Sequence, residues 1–190
     1  MIPLLIPYAV TDQHAVVQQD VERWAEELQR PDCTSLLGML RLLLVYPEFR
    51  SLFYYRLKRG NLLGSVLSFV FRLVYKGQTT LYLNCDHIGP GLFLQHAFST
   101  ALGAESIGKN CWINQQVTIG YTDRSRGPII GDNVCIYSGA KVLGPIRIGN
   151  NVKIGANALV IKDIPDNSVV LGAPALIRRS TAGADPAAAA

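Results

Sequence analysis

The chain has 190 residues, 49% of them hydrophobic and 17% charged, with a formal net charge of +4 at pH 7. That length allows one compact unit or two small ones. Lys and Arg number 9 against 7 acids up to residue 76 and 9 against 7 beyond it, so neither half is a basic nucleic-acid module.

Thr11 or Asp12 is placed to cap a helix running to about Leu28, with Val16, Val17, Val21, Trp24 and Leu28 on one face. His14 falls on its polar face and is expected to be inert. A second apolar stretch runs from Leu36 to Tyr46, where Pro47 interrupts it or starts a turn. Phe49–Lys58 and Leu62–Tyr75 read as further helices, divided by Gly60 and Asn61. The 62–75 segment is too short to span a bilayer. Two readings of it stay open. It packs on other helices or a neighbouring subunit, or it lies on the inner membrane surface, helped by Arg56, Lys58, Arg59, Arg72 and Lys76. Lys76-Gly77-Gln78 is the predicted boundary of an α-helical domain over 1–77.

From Ile130 an aliphatic residue returns every sixth position: Ile130, Ile136, Val142, Ile148, Ile154, Val160. Four residues after each comes Val134, Ala140, Ile146, Val152, Ala158 or Ile164. A period of six fits neither a helical stripe nor a hairpin strand. It fits a parallel β-helix, in which one hexad makes a short strand and its corner. Gly131, Gly149 and Gly155, with Asn133, Asn151 and Asn157, are assigned to corners because both residue types reach left-handed backbone angles cheaply. The pattern begins earlier with Ile88, Leu94, Ile107, Ile113 and Ile119. The step from 94 to 107 is one residue longer than two hexads, which predicts a bulged corner. The step from 119 to 130 is one residue short of two hexads and its contents are polar. A loop over 120–128, thrust out of the coil, is therefore expected in a β-helix domain over 78–180. Residues 181–190 have too little apolar surface to pack and are expected to be a disordered tail.

Cys33, Cys85, Cys111 and Cys135 form no C-x-x-C pair, and Cys111 falls on an inward hexad position. Buried free thiols in a reducing cytosol are expected. No signal peptide is read at the start, so the expected location is cytoplasmic, with the inner membrane face left open. The three histidines have no metal spacing, and no metal is expected.

The hexads, the segment Gln115-Gln116-Val117-Thr118-Ile119-Gly120 and the closing Gly172-Ala173-Pro174-Ala175 resemble the hexapeptide-repeat acyltransferases. Within them the chain is most similar to serine acetyltransferases. Tyr46–Leu52 followed by Tyr55-Arg56-Leu57 is similar to that family's helical segment. The likeness continues through Ile88–Ala97 and runs to about Arg178. The resemblance implies a mainly β fold, a left-handed parallel β-helix preceded by an α-helical domain. It implies a homotrimer or a pair of trimers, with acetyl-CoA as co-substrate in the groove between two β-helices. It places the catalytic histidine on His96, CoA-lining positions on Ser138 and Ala156, and a matching lysine on Lys153. Gly120 and Arg178 join the CoA-binding set. Asp32 stands near an acceptor-binding aspartate, one residue out of step.

Three departures accompany it. Leu81-Tyr82-Leu83-Asn84 stands where the family has Asp-Ile-His-Pro, whose aspartate orients the histidine. Gln95 replaces an aspartate, and Arg126-Gly127-Pro128 replaces Arg-His-Pro. A free amino acid needs fixed charge partners, and a site with fewer charges suits a neutral polyol. The expectation is therefore an acetyl-CoA-dependent O-acetyltransferase acting on a sugar hydroxyl, in the branch that decorates polysaccharides. Gln19–Trp24 also resembles that branch. Serine or another small molecule is the second acceptor reading, and a non-catalytic β-helix scaffold the third.

The thioester of acetyl-CoA is already activated, so no covalent enzyme intermediate is needed. His96 would take the hydroxyl proton and return it to the leaving thiolate. Backbone N–H groups at a corner would hold the oxyanion. Asp86, Glu105 or a backbone carbonyl are the candidates for orienting the imidazole. Gln95, Tyr121, Arg124 and Arg126 are acceptor-side candidates, since guanidinium forks suit acidic oxygens. His87 is expected to be a surface residue.

Overall fold

The computed structural model describes residues 3–122 and 126–180. From Leu81 onward the chain winds as a left-handed parallel β-helix, as the six-residue period and the resemblance predicted. Its coils are triangular and give three faces. Face A stacks Leu81–Leu83, Thr100–Leu102, Thr118–Gly120, Lys141–Leu143 and Leu159–Val160. Face B stacks His87–Ile88, Ser106–Ile107, Ile129–Ile130 and Arg147–Ile148. Face C stacks Phe93–Leu94, Trp112–Ile113, Cys135–Ile136, Lys153–Ile154 and Ser168–Leu171, and the antiparallel Leu176–Ser180 ends it.

The register is strict. Leu94, Ile113, Ile136, Ile154 and Val170 lie one beneath another, all buried. Val134, Ala140, Val152 and Ala158 fill the corners from within and are fully buried. Each inward aliphatic contributes about 1.5–3 kcal/mol of burial, which a strand this short cannot supply through its own hydrogen bonds.

The corners divide their work between residue types. Asn110, Asn133, Asn151 and Asn167 all have φ of 55–56°. Asn133 Nδ2 donates to Asn151 Oδ1 (3.1 Å), and Asn151 Nδ2 donates to Asn167 Oδ1 (2.9 Å). The glycines differ from expectation, since Gly131, Gly149 and Gly155 do not have positive φ. At Gly131 and Gly149 they provide room. A Cβ on Gly131 would lie 2.8 Å from the backbone of Gly149, and one on Gly149 would lie 2.5 Å from Asp166 N. Successive coils touch there.

The helical part comprises α1 (Ile6–Val10), α2 (His14–Glu27), α3 (Leu36–Val45), α4 (Pro47–Lys58) and α5 (Leu62–Val74). Short 3-10 turns at Pro3–Leu5 and Pro31–Thr34, together with α1, carry no periodic signal and were not predicted. α2 starts at His14 and not at its expected caps. Thr11 Oγ1 accepts from Gln13 N (3.2 Å), while Asp12 Oδ1 is committed to Asn61 N (2.9 Å). Pro47 opens α4, where a missing N–H costs nothing. Val16 and Leu28 are only half-buried. The buried face of α2 includes Asp20 instead.

Asp20 joins the two parts. Arg56 of α4 donates from Nε to Asp20 Oδ2 (2.8 Å) and from Nη2 to Asp20 Oδ1 (3.1 Å). The guanidinium also donates to the carbonyls of Ile88 and Gly89, and Gly91 N donates to Asp20 Oδ1 (2.7 Å). Asp20 is 1% exposed and Arg56 4%. Beside them, Trp24 Nε1 donates to Leu92 O (2.9 Å), and its ring packs edge-on against Phe49 and Phe93. The helices are thus clamped to the first coil.

Arg56→Met should cost about 3–5 kcal/mol, because it strands a buried carboxylate. Adding Asp20→Asn should recover part of that loss. Urea unfolding of both single variants and the double checks it; strictly additive losses would show that the pair does not act as a clamp.

Candidate active site

The ladder register decides which corner residues share an edge. Between faces C and A, regular corners have three residues: 114–116, 137–139 and 155–157. Each has one residue in the left-handed region, Gln116 (φ 60°), Gly139 (74°) or Asn157 (56°). The first corner spans 95–99 and has two such residues, His96 (51°) and Ser99 (51°). The two additional residues divide their roles. Ala97 turns inward and is fully buried, while His96 is exposed at the tip. Ser99 N donates to Thr80 Oγ1 (2.9 Å) and Gln116 N to Phe98 O (3.0 Å), which fixes the far side of the corner. The bulged corner predicted between 94 and 107 is this one.

Counted from face C, His96 stands in line with Gln115, Ser138 and Ala156. Lys153 lies beside that edge on face C. Gln95 is tied down, its Oε1 accepting from Trp112 Nε1 (3.2 Å). Asn114 Oδ1 and Gln115 Oε1 are buried without a hydrogen-bond partner among the described residues. Sequence reasoning did not single out these two; the polar run Asn114-Gln115-Gln116 within an aliphatic repeat was the available signal.

A second group occupies the edge between faces A and B. Asp86 and Glu105 lie on its three-residue corners, Gly120 ends the face A strand Thr118–Gly120, and Tyr121 and Arg126 lie on the longer connection from it to Ile129–Ile130. Tyr121 and Arg126 are exposed. Within one chain neither carboxylate therefore reaches the imidazole. Among the described residues no side chain hydrogen-bonds the His96 ring. Leu81, in the family's orienting position, is a buried apolar residue of the first coil. Glu105 Oε2 is buried and unpartnered, and its Oε1 lies 4.0 Å from Arg126 Nη1.

Position 127 has no room for the imidazole found in the family motif. A Cβ on Gly127 would lie 2.5 Å from Gly103 O and 3.1 Å from Glu105 N. Glu105 N donates to Pro128 O (2.9 Å), so the returning chain lies flat against 103–105. Arg124 falls outside the described residues, as do 181–190.

Asp32 lies in the Pro31–Thr34 turn, away from both edges. Arg30 grips its carboxylate in a fork (3.0 and 2.9 Å), with Arg41 3.7 Å away. The Arg30 hydrogen bonds hold the Asp32 carboxyl below the usual range. Its oxygens are already occupied. Arg178 is exposed on the closing strand Leu176–Ser180. His87 and His14 are exposed, as expected of surface residues.

The thiols are poor nucleophiles. Burial pushes Cys85 up to about 11 and Cys111 up to about 12, and also raises Cys33 and Cys135. All four cysteines are free.

Among known proteins, residues 127–162 match the family model described as bacterial transferase hexapeptide (six repeats). That stretch of the β-helix carries the hexapeptide-transferase repeat. It is 36% identical over 145 residues to the serine acetyltransferase of Helicobacter pylori, a match covering 70% of this chain and 82% of that one. It is 36% identical over 159 residues to that of Synechococcus elongatus, covering 77% of this chain but 64% of the relative. The Neisseria gonorrhoeae serine acetyltransferase in complex with serine superposes with a TM-score of 0.63 at 32% identity, over 86% of this chain and 68% of that one. The Brucella abortus serine acetyltransferase in complex with coenzyme A gives 0.58 at 26% identity, over 88% and 68%.

The chain belongs to the serine acetyltransferase family. This overturns the expected polysaccharide-modifying branch, and with it the sugar acceptor: the relatives and the superposed structures are serine acetyltransferases. The charge argument failed because it compared motif positions alone.

Iodoacetamide at pH 8 should label native protein slowly and unfolded protein fully, as mass spectrometry would count. The raised thiols also set a pH window. The native state holds its protons where the unfolded chain loses them, so stability is full below pH 9 and falls as pH rises toward 12. Cys111→Ala should flatten that fall in alkaline urea titrations; an unchanged slope would contradict the assignment.

Proposed function

We propose that the protein transfers the acetyl group of acetyl-CoA to the hydroxyl of L-serine, with His96 as general base. The position of His96 carries this reading. It is an exposed histidine on a widened corner, in line with the small residues Ser138 and Ala156. The family membership supports the acceptor.

Bound acetyl-CoA supplies an activated thioester. Ser138 and Ala156, small residues in line with His96, leave room beside the edge for the pantetheine arm. Lys153 and Arg178 are the cations for its phosphates. His96 accepts the proton as the serine hydroxyl attacks the acetyl carbon, and hands it to the sulfur as the C–S bond breaks. Corner N–H groups steady the charge on the carbonyl oxygen.

Serine is a zwitterion, and its two charges need partners. Glu105, whose side chain is about a third exposed, suits the ammonium, and the exposed Arg126 beside it suits the carboxylate. We assign both to acceptor binding, in place of the orienting role first given to Glu105. They sit on the edge opposite to that of His96 across face A, so one copy supplies each half of the site. A head-to-tail ring brings one edge of a copy against a different edge of the next. A homotrimer satisfies this. No helix among the described residues is long and apolar enough to cross a membrane. Free cysteines and the use of acetyl-CoA favour the cytoplasm.

Purified protein should consume acetyl-CoA with saturable dependence on L-serine. His96→Ala should lower kcat by about 10²- to 10⁴-fold, while His87→Ala stays within a few-fold of the parent. Glu105→Gln should raise KM for L-serine with little change in kcat. Light scattering should report a trimer or a multiple of it. Absence of turnover with L-serine, or a clean monomer at micromolar concentration, would sink the reading.

A further inference from the structure

α5 is built the wrong way round for a helix of a globular domain. Its buried residues are Gly64 and Ser68, and Ser65, Ser68, Phe69 and Arg72 line a cleft of about 830 Å³ between the helices and face A. Its apolar residues point outward: Leu62 is 82% exposed, Phe69 67%, Leu73 65% and Val74 75%, with Val66 and Val70 about half exposed. At 100° per residue these six cover an arc of about 140° with no polar side chain in it. A contiguous apolar stripe of this kind marks a surface that meets a partner or a membrane.

Charge selects the occupant. No Asp or Glu occurs between Glu48 and Asp86, whereas Arg50, Arg56, Lys58, Arg59, Arg72 and Lys76 all fall there. Arg56 is spent on Asp20, Arg59 reaches the carbonyls of Cys85 and Asp86, and Arg72 lines the cleft; Lys58 and Lys76 are exposed just beyond the two ends of α5 and flank its apolar face. A second copy docking on the same face would bring a matching set of cations. A bilayer rich in anionic lipid meets both demands, since it buries an apolar strip and attracts flanking Lys and Arg.

We propose that α5 lies on an anionic membrane surface, apolar face down, and holds the enzyme there peripherally. The proposal is independent of the acceptor. The test is sedimentation of the intact protein with vesicles of phosphatidylcholine alone or with one-third phosphatidylglycerol, at low and high salt. Binding should be at least tenfold stronger on the anionic vesicles and should be released by salt. The double variant Phe69→Ser, Leu73→Ser should lose at least tenfold in binding, and Lys58→Ser, Lys76→Ser should lose a similar factor. Both should keep the parental thermal midpoint and transfer rate, since these side chains are exposed. Failure of the parent to bind anionic vesicles, or equal binding by the Ser variants, would overturn the proposal. So would a fall in the light-scattering mass of Phe69→Ser, Leu73→Ser, which would show that a second copy covers the face.

Discussion

Each coil must place its residues directly above those of the coil before, because the inward aliphatics stack and the backbone ladder runs through every face. This register governs everything else in the molecule. It brings the backbones at Gly131 and Gly149 too close for a side chain, and it lines up Asn133, Asn151 and Asn167 into a hydrogen-bonded column. It also leaves no place within a strand for a surplus residue. The two surplus residues near 96 are therefore expelled to a corner. Two left-handed residues there cost on the order of 1–2 kcal/mol each, less than the inward aliphatics above and below return at about 1.5–3 kcal/mol apiece. The fold tolerates the bulge, and the bulge presents an imidazole to solvent.

The helices secure that first coil. Asp20 and Arg56 bind the backbone of Ile88, Gly89 and Gly91, five to eight residues before His96, and Trp24 braces Leu92 and Phe93. A terminal coil of a solenoid has neighbours on one side only and would otherwise fray. The buried pair is a costly way to hold it. Its value lies in fixing one docking geometry, so that the corner bearing His96 has a defined position relative to the rest of its edge.

Much of the fold was legible because a period of six has few structural solutions. Ile130 to Val160 fell inward as read, and the miscount between Leu94 and Ile107 marked the bulge. What stayed hidden depended on tertiary partners. α1 and the Pro31–Thr34 turn are too short to carry periodicity. Asp20 drew no structural reading, because nothing local announces that Arg56, 36 residues on, will meet it. Corner glycines were read as conformational devices when close approach of coils decided them at 131 and 149. At the candidate site, His96 was singled out through a motif, but its separation from Asp86 and Glu105 follows from which edge each occupies. The sugar acceptor was inferred from three altered motif positions, 81, 95 and 127, and likeness to serine acetyltransferases along most of the chain outweighs them.

The account rests on His96 reaching an acceptor held in part by another copy of the chain. A structure of the assembled protein with CoA and L-serine bound tests this most directly. The serine hydroxyl should lie about 2.6–3.2 Å from a ring nitrogen of His96, with Glu105 and Arg126 of the adjoining copy on its ammonium and carboxylate. Serine bound away from His96, or both edges of one site supplied by a single chain, would contradict the account.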